Sequence, residues 1–424
     1  MSLDSVEVNA YNVKYKEGKR FRNENTEGKM KKLLSILLVL LMACSMMVGC
    51  SKEPTVVNLK VWGAQEDQEM LAGMIEEFKA ANADKEWNIE LGVVGEPDAA
   101  KKYLEDPEAA ADVFAFANDQ LRDLVNAGGL YKVTRNTENF SDIYAPGTID
   151  AASIDGTLYA YPMTADNGYF MYYNSDFFTA DDVKDFDTML DKAAAAGKKV
   201  FMDVSNGWYI ASFFLGNGGT LSIGADGKQV CDFNNDKGVE AGEAIKAITA
   251  HAGFVTGDDS ILIAGIQDGS IVAGVSGTWN AESISKAWGA AYAATKLPEY
   301  TTASGKVQMG SFAGYKLVGV NSQTKAPVEA MDLAAWLTNE ANQVVRFEKR
   351  ALGPANVNAA NSDAVKANVA LAALAQQSAY AVSQKDVLGS YWTPAEAFGV
   401  AMEGKDYSKS VQEQLNDMVA QIQQ

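Results

Sequence analysis

Histidine is almost absent from this 424-residue sequence, which contains only His251. A Ser-His-Asp triad needs a histidine as its base, and a two-histidine metal site cannot be assembled from one. His251 follows a helical pattern and stands close to Gly253, so we expect it to end a helix and to have no chemical role. The scarcity of histidine disfavours both kinds of site.

Basic residues are also in short supply, with 36 Lys and Arg against 55 Asp and Glu, for a formal net charge of −19. This balance disfavours nucleic acid, whose phosphates attract Lys and Arg, and it opposes adsorption to an anionic membrane surface. No apolar run after Cys50 reaches the length of about 18 residues that a spanning helix needs. Any membrane attachment must therefore come from something other than basic patches.

Cysteine is the third scarce residue type, with Cys44, Cys50 and Cys231. Cys44 lies in an apolar segment that we expect to be removed, and Cys231 is expected to be a small buried side chain. Cys50 differs because an export signal precedes it: Lys31 and Lys32 are followed by the short apolar stretch Leu33–Met42. The sequence predicts an upstream extension without function over 1–29, a lipoprotein signal peptide over 30–49, and a tether over 50–55 lipidated at Cys50, because Val48-Gly49-Cys50 resembles a lipobox.

Strand and helix patterns alternate through the first part of the chain. Val56–Trp62 alternates like a strand, and Met70–Phe78 repeats with helical spacing. Further strands are predicted at Trp87–Val93 and Asp112–Phe116, the second followed by a helix that ends at Gly128-Gly129. This alternation predicts an α/β domain with a mostly parallel sheet flanked by helices.

A second alternating block begins after Tyr169–Asn174. It contains a predicted strand at Lys198–Val204, a hairpin around the Asp226-Gly227 turn, and a strand at Ser270–Val275. A return strand at Met309–Val320 follows, and the chain beyond residue 363 is mostly helical in pattern. Two such blocks joined by extended segments predict two lobes with a ligand cleft between them.

No metal or cofactor is predicted. The segment Asp232–Gly238 has Lys237 where a calcium loop requires glycine, and Gly224–Lys228 lacks the upstream glycine and the following hydroxyl residue of a phosphate loop. A glycosidase needs two carboxylates at a set separation. Nothing in the pattern singles out two of the 55 acidic residues.

Aromatic residues stand at predicted strand ends and helix starts, often beside small or polar residues such as Gly277-Thr278 and Asn118-Asp119-Gln120. Sugar rings offer apolar faces and a rim of hydroxyls, which suit flat aromatic rings with amide and carboxylate partners. Trp279 follows a predicted strand and two small residues, so its ring is expected either to serve as a binding platform or to be buried under the next helix. The aromatic set is Trp62, Phe116, Trp208, Tyr209, Trp279, Tyr391 and Trp392.

From about Val56 to the C-terminus the sequence resembles the extracytoplasmic solute-binding proteins of family 1, similar to the maltose/maltodextrin-binding proteins of ABC importers. The segments that carry the resemblance are Leu59–Trp62, Asp112–Gly128, Tyr159–Pro162, Tyr172–Asn174, Gly277–Trp279 and Tyr391-Trp392. The resemblance implies a two-lobe fold of the periplasmic-binding-protein type with the ligand cleft at a hinge. It implies lobes formed by 56–165 with 310–353 and by 166–309 with 354–424, and hinge crossings near Thr164–Tyr172, Gly305–Phe312 and Gly353–Asn356.

The resemblance also assigns roles to individual residues. It implies that Asp119, and either Glu66 or Asp67, accept bonds from sugar hydroxyls. Asp166 and Asn167 compete for one acidic contact, because the segment between Pro162 and Asn174 is one residue longer than in the family. The resemblance implies that Trp279 and Trp392 stack on successive glucose rings. The predicted sugar-binding set is Trp62, Glu66, Asp67, Phe116, Asp119, Gln120, Asp166, Asn167, Asn206, Trp208, Trp279, Tyr391 and Trp392.

Four members of this set depart from the family pattern. Trp208 replaces a frequent tyrosine, Asn206 a carboxylate, Gln120 an arginine and Phe116 a tryptophan. These departures leave the exact sugar and its length open.

The implied function is that of a lipid-anchored, non-enzymatic receptor on the extracytoplasmic face of a bacterial cell membrane. It would bind maltose or maltodextrin-type α-glucans, act as a monomer, and deliver the sugar to the permease subunits of an ABC importer. Three alternatives stay open: a receptor for a different oligosaccharide, a secreted glycosidase, and a structural surface lipoprotein.

Overall fold

The computed structural model describes residues 56–424, which form one compact unit. The predicted upstream extension, signal peptide, Cys50 lipidation site and tether lie outside the described residues. Within the described part of the chain, no helix combines the length and apolarity needed to cross a bilayer.

The strands and helices alternate much as the sequence pattern predicts. The strands are β1 (Val56–Gly63), β2 (Glu86–Val93), β3 (Val113–Ala117), β4 (Ser153–Ile154), β5 (Thr157–Leu158), β6 (Ala160–Gly168), β7 (Phe170–Asn174), β8 (Lys199–Phe201), β9 (Leu221–Ile223), β10 (Gln229–Cys231), β11 (Phe254–Val255), β12 (Ile271–Ser276), β13 (Tyr292–Thr295), β14 (Glu299–Thr302), β15 (Gly305–Gln308), β16 (Ser311–Val320) and β17 (Ala381–Ser383). The α-helices are Gln68–Ala81, Ala99–Glu105, Leu121–Asn126, Phe140–Ile143, Pro146–Ala151, Phe186–Ala195, Gly207–Gly216, Asp236–Ala250, Asp259–Asp268, Ala281–Trp288, Pro327–Leu337, Glu340–Arg350, Val357–Ala360, Asp363–Lys366, Val369–Gln377, Trp392–Glu403 and Val411–Ile422.

The first sheet contains six strands in the order β17-β16-β3-β1-β2, with β6 also paired to β16. β1 runs parallel to β2 and β3, whereas β16 runs antiparallel to β3 and β6. The inward residues of β1, Val57, Leu59 and Val61, pack with the apolar face of the helix Gln68–Ala81. One face of β1 and the apolar face of this helix are therefore buried against each other in a hydrophobic core.

The second sheet contains five strands in the order β11-β8-β12-β7-β13. β8 is parallel to β11 and β12, and β7 is antiparallel to β12 and β13. The α/β fold class is confirmed, and both sheets are mixed. The antiparallel pairs come from β6, β7, β13 and β16, and β6 runs into β7 with no crossover helix between them.

The chain passes between the two sheets at several points. β6 ends in the first sheet at Gly168, and β7 begins in the second at Phe170. The hairpin of β14 and β15 precedes Met309-Gly310, after which β16 enters the first sheet. The assignment of 354–424 to the second lobe needs one correction: β17 pairs in parallel with β16 and returns this segment to the first sheet. The other lobe boundaries stay a prediction.

Candidate functional site

Two tryptophan rings, those of Trp208 and Trp279, lie next to each other beyond the ends of two strands of the second sheet, β8 and β12. Trp208 is in the first turn of the helix Gly207–Gly216, and Trp279 lies in a short 3-10 turn after β12. Their ring centroids are 5.9 Å apart with an interplanar angle of 41°, and both rings are partly buried. This is a paired aromatic surface of the kind that packs against the apolar face of a flat ligand.

Both indole N–H groups already have acceptors within the protein. Trp208 Nε1 donates to Gln384 Oε1 at 2.8 Å, and Trp279 Nε1 donates to Asp259 Oδ2 at 2.8 Å. Because indole has no other polar group, the ring faces are what remain for a ligand. The small residue Gly277 before Trp279 could leave room either for a ligand or for the indole ring itself. A Cβ on Gly277 would collide with the Trp279 ring, so Gly277 leaves room for that ring and not for a ligand.

A buried network of polar side chains adjoins Trp208. Gln384 Nε2 donates to Asp119 Oδ1 at 2.6 Å, and Asn167 Nδ2 donates to Gln384 Oε1 at 3.4 Å. Asn167 lies in β6 of the first sheet, Asp119 in the turn that follows β3, and Trp208 at the start of the helix that follows β8 of the second sheet, so Gln384 connects predicted site residues next to both sheets. Sequence reasoning missed Gln384, because it follows a three-residue strand within a segment that reads as helical.

Asp166 occupies a different place from its neighbour Asn167. Its Oδ2 accepts bonds from Thr278 Oγ1 at 2.7 Å and from the Gly353 backbone N–H at 2.6 Å. The carboxylate therefore connects β6 to the turn that carries Trp279 and to the third predicted crossing. Of the two candidates for the acidic position, Asn167 lies in the Asp119 network, and Asp166 connects the chain crossings.

Glu66 and Asp67, the two acidic candidates in the turn between β1 and the helix Gln68–Ala81, also differ in their surroundings. Glu66 is exposed. Asp67 is only 4% exposed, and its carboxylate lies 3.1 Å from Arg350 Nε and 3.6 Å from Arg346 Nη1. Arg350 Nη1 also lies 3.4 Å from Glu282 of the helix Ala281–Trp288. Asp67 is therefore neutralised inside the protein, and Glu66 is the member of the pair that faces solvent.

A second buried ion pair, Lys316 with Glu96, lies near Trp279. Lys316 Nζ is 3.5 Å from Glu96 Oε1 and 5.8 Å from the centroid of the Trp279 ring. Burial alone would raise the pKa of Glu96, but the Lys316 charge and a backbone N–H outweigh it, so this pKa is lowered. Burial lowers the pKa of Lys316, and nearby carboxylates led by Glu96 raise it above its usual value. Both groups therefore stay charged, and the sequence pattern gave no sign of this pair.

Four predicted contact residues perform structural roles in this structure. Phe116 and Tyr391 are 0% exposed. The Tyr391 hydroxyl donates to Gly207 O at 2.9 Å. Gln120 accepts from Ala100 N at 2.9 Å and donates to Glu96 O at 2.7 Å, which ties two loops together. Asn206 caps its helix by accepting from Trp208 N at 2.9 Å. The prediction that Phe116 and Tyr391 touch the ligand is corrected, because both rings are enclosed by core side chains.

The other two tryptophans of the predicted sugar-binding set, Trp62 and Trp392, are partly buried. Trp392 begins the helix Trp392–Glu403, and its ring centroid is 6.0 Å from that of Phe312. Trp62 lies near the end of β1, with its centroid 6.0 Å from that of Phe114. Each ring packs on a core through one side, and the structure does not pair either with Trp208 or Trp279.

Burial raises the pKa of the Asp119 carboxyl to about 7, despite the opposing bond from Gln384. In the ligand-free protein the folded state therefore holds a proton that the unfolded state releases, so stability should fall as the pH rises from about 4 to about 7. Asp119→Asn should remove the contribution of Asp119 to this slope, stabilise the empty protein at pH 8 by at most about 4 kcal/mol, and weaken ligand binding. Urea melts between pH 4 and 8 test this, and an unchanged slope in the variant would contradict it.

The fold and the site define a two-sheet binding protein with paired aromatic rings and a polar network. Residues 73–373 match the family described as bacterial extracellular solute-binding protein, and the chain belongs to this family. No group of three His, Cys, Asp or Glu side chains placed for a metal ion occurs within residues 56–424. Family membership confirms the resemblance inferred from the sequence, together with the expectation of a solute-binding protein and not an enzyme.

Individual relatives show the same likeness. The galactooligosaccharide-binding protein of Bacillus subtilis (strain 168) is 28% identical over 362 residues, which cover 80% of this chain and 83% of the relative. A solved structure described as "with acarbose" is 33% identical, with a TM-score of 0.79, covering 87% of this chain and 98% of that one. The Thermus thermophilus maltotriose-binding protein bound with maltotriose is 19% identical, with a TM-score of 0.74, covering 86% of this chain and 99% of that one.

Proposed function

We propose that this chain is the lipid-anchored sugar receptor of an ABC importer, binding maltose or maltodextrin-type α-glucans between two lobes and delivering them to the membrane permease. The observation that carries the proposal is the Trp208–Trp279 pair beside the Asp119–Gln384–Asn167 network. Ring faces next to carboxylate and amide groups match the apolar faces and hydroxyl rims of a saccharide.

The relatives support the same chemical class. The structures similar to this chain include complexes with acarbose and with maltotriose. The galactooligosaccharide-binding relative supports a second candidate, a receptor for a different oligosaccharide. Both candidates share the aromatic and polar contacts and differ in the linkage that the site accommodates.

A ligand panel separates the two candidates. Thermal denaturation of residues 51–424 is measured with maltose, maltotriose, longer dextrins, cellobiose, raffinose and galacto-oligosaccharides. A bound sugar at about 100 times its dissociation constant adds roughly 2.7 kcal/mol to the free energy of unfolding. We expect the largest shift with the α-glucans. Stabilisation by galacto-oligosaccharides alone would select the second candidate, and no shift with any saccharide would reject both.

Lipid attachment at Cys50 is tested separately from sugar binding. The motif Val48-Gly49-Cys50 after a short apolar segment favours acylation of Cys50 and cleavage before it. Cys50→Ser should leave the protein unprocessed or released from the membrane, with sugar binding unchanged. Mass spectrometry of the membrane-held protein checks the modification, and an unmodified Cys50 in that fraction would reject the anchor. We further propose that the receptor is a monomer, whose closed form the permease recognises.

A further inference from the structure

Gln384 lies where two strands end against the same edge of β16. β17 pairs with Ser311–Ala313, β3 pairs with Lys316–Val320, and β6 occupies the opposite edge. The backbone N–H of Gln384 continues the β17 ladder by donating to Ala313 O at 3.0 Å. Because β17 is parallel and β3 antiparallel to β16, their carboxyl ends meet here. Gln384 therefore lies beside the turn that carries Asp119.

The orientation of the Gln384 amide follows from its partners. Trp208 Nε1 can only donate, so the group facing it at 2.8 Å must be Gln384 Oε1. The NH₂ group then points to Asp119, whose Oδ1 accepts at 2.6 Å. If the amide were flipped, its NH₂ group would face the Trp208 N–H donor and its oxygen would face the Asp119 acceptor. The side chain therefore has one satisfied orientation, and it is only 3% exposed.

Gly314 provides the space in which these amides converge. A Cβ at Gly314 would lie 2.9 Å from Asn118 Oδ1 and 3.0 Å from both Asn167 Nδ2 and Gln384 Oε1. These separations are too short for ordinary carbon contacts, so a larger residue would push the amides apart. The lack of a side chain at Gly314 therefore leaves space for the network next to β16.

We propose that Gln384 is the positioning residue that couples Asp119, in the turn after β3, to Trp208, in the helix after β8, so that sugar binding requires one shared arrangement of both. This inference rests on the proposed sugar-binding function. Gln384 orients the acceptor that would meet sugar hydroxyls and the ring that would meet a sugar face. Its removal leaves the Asp119 carboxylate and the indole N–H without their partners in a buried setting, which costs affinity through their misplacement.

The experiment compares Gln384→Ala, Gln384→Glu and wild type by calorimetric titration with the saccharide that the panel selects, from pH 5 to pH 8.5. The charged group acting on Asp119 from its own turn is Asp123, while Gln384 and Trp208 are neutral. The nearby Lys385 and Arg122 are paired with Asp150 and Asp386 at 2.8 and 3.3 Å. Gln384→Glu therefore places two carboxylates together. Because the pKa of Asp119 alone is already about 7, the pair shares a proton at acidic and neutral pH, and the two charges repel each other once that proton is lost at the alkaline end of the range.

We expect Gln384→Ala to bind about tenfold more weakly at every pH. Gln384→Glu should lose more affinity than Gln384→Ala at pH 8.5 and recover most of that loss, relative to wild type, near pH 5. In an Asp119→Asn background the alanine substitution should have a smaller effect, as expected for residues that act together. A purely structural glutamine would produce neither the pH-dependent recovery nor the coupling.

The control is Gln377→Ala, which removes another buried glutamine, one that bonds Leu297 N, Met309 O and Ser311 Oγ. It should lower the melting temperature and leave the affinity at the wild-type value. The coupling is overturned if Gln384→Ala binds the saccharide as tightly as the wild type. It is also overturned if the affinity of Gln384→Glu depends on pH in the same way as that of Gln384→Ala. In both cases the sugar-binding function stands. A wild-type protein that binds no saccharide overturns the proposed function, and the coupling with it.

Discussion

Trp279→Ala is expected to weaken binding of the preferred saccharide about 5- to 150-fold, the range that corresponds to losing a large aromatic anchor worth about 1–3 kcal/mol. The ring packs against Trp208 on one side and has the Lys316 ammonium near its face. It is only partly buried, so its loss should cost the empty protein much less than the ~3–5 kcal/mol typical of a core tryptophan. Calorimetry of binding and denaturation of the empty variant measure the two effects side by side.

Trp279→Phe is the matched variant for this experiment. It keeps an aromatic face and removes the N–H that donates to Asp259. If the face binds the sugar, Trp279→Phe should retain much of the affinity that Trp279→Ala loses. Unchanged affinity in Trp279→Ala together with a collapsed melting temperature would show that Trp279 belongs to the core, and the platform would have to be sought at Trp392 or Trp62.

The second large effect is expected on stability, at the Lys316–Glu96 pair. Lys316→Met removes the positive partner of a carboxylate that is only 5% exposed, and breaking a buried pair in this way costs about 3–5 kcal/mol. The pKa of Glu96 should then rise, because burial is no longer opposed by the lysine charge. The deficit should accordingly shrink as the pH falls and Glu96 takes up a proton.

The double variant Lys316→Met/Glu96→Gln separates charge from packing. A neutral amide in place of Glu96 needs no cation, so the double variant should recover much of the stability lost in the single one. Denaturant titration of the wild type, both single variants and the double variant gives the coupling free energy. A Lys316→Met protein as stable as the wild type at pH 7 would mean that Glu96 is solvated in another way.

The order of the elements could be predicted because strand and helix patterns are local. The helix Asp236–Ala250 illustrates this: Asn235 accepts from Gly238 N and caps a helix whose spacing is visible in the sequence. The hairpin of β9 and β10 follows from Asp226-Gly227, since Gly227 adopts φ +79°. The position of Trp279 just after β12 could be predicted for the same reason, because the apolar strand pattern and the small residues that follow it are both local features of the sequence.

The partners of the site residues could not be predicted, because they come from distant parts of the chain. Asp67 is neutralised by Arg346 and Arg350, and Asp119 is bonded by Gln384, and neither pairing leaves a local pattern. Phe116 and Tyr391 stand at element ends like Trp208, yet they face the core. The position of an aromatic residue along a strand or helix does not reveal whether its ring will be buried in the core, because burial depends on the tertiary packing of distant elements.

The most direct test of the central claim is a calorimetric titration of residues 51–424 with maltotriose, followed by chromatography of the sugar recovered after long incubation. The account predicts saturable binding at one site per chain and recovery of the sugar unchanged. Products that accumulate in proportion to the protein, or the absence of any binding heat with maltotriose and the other saccharides of the panel, would contradict it.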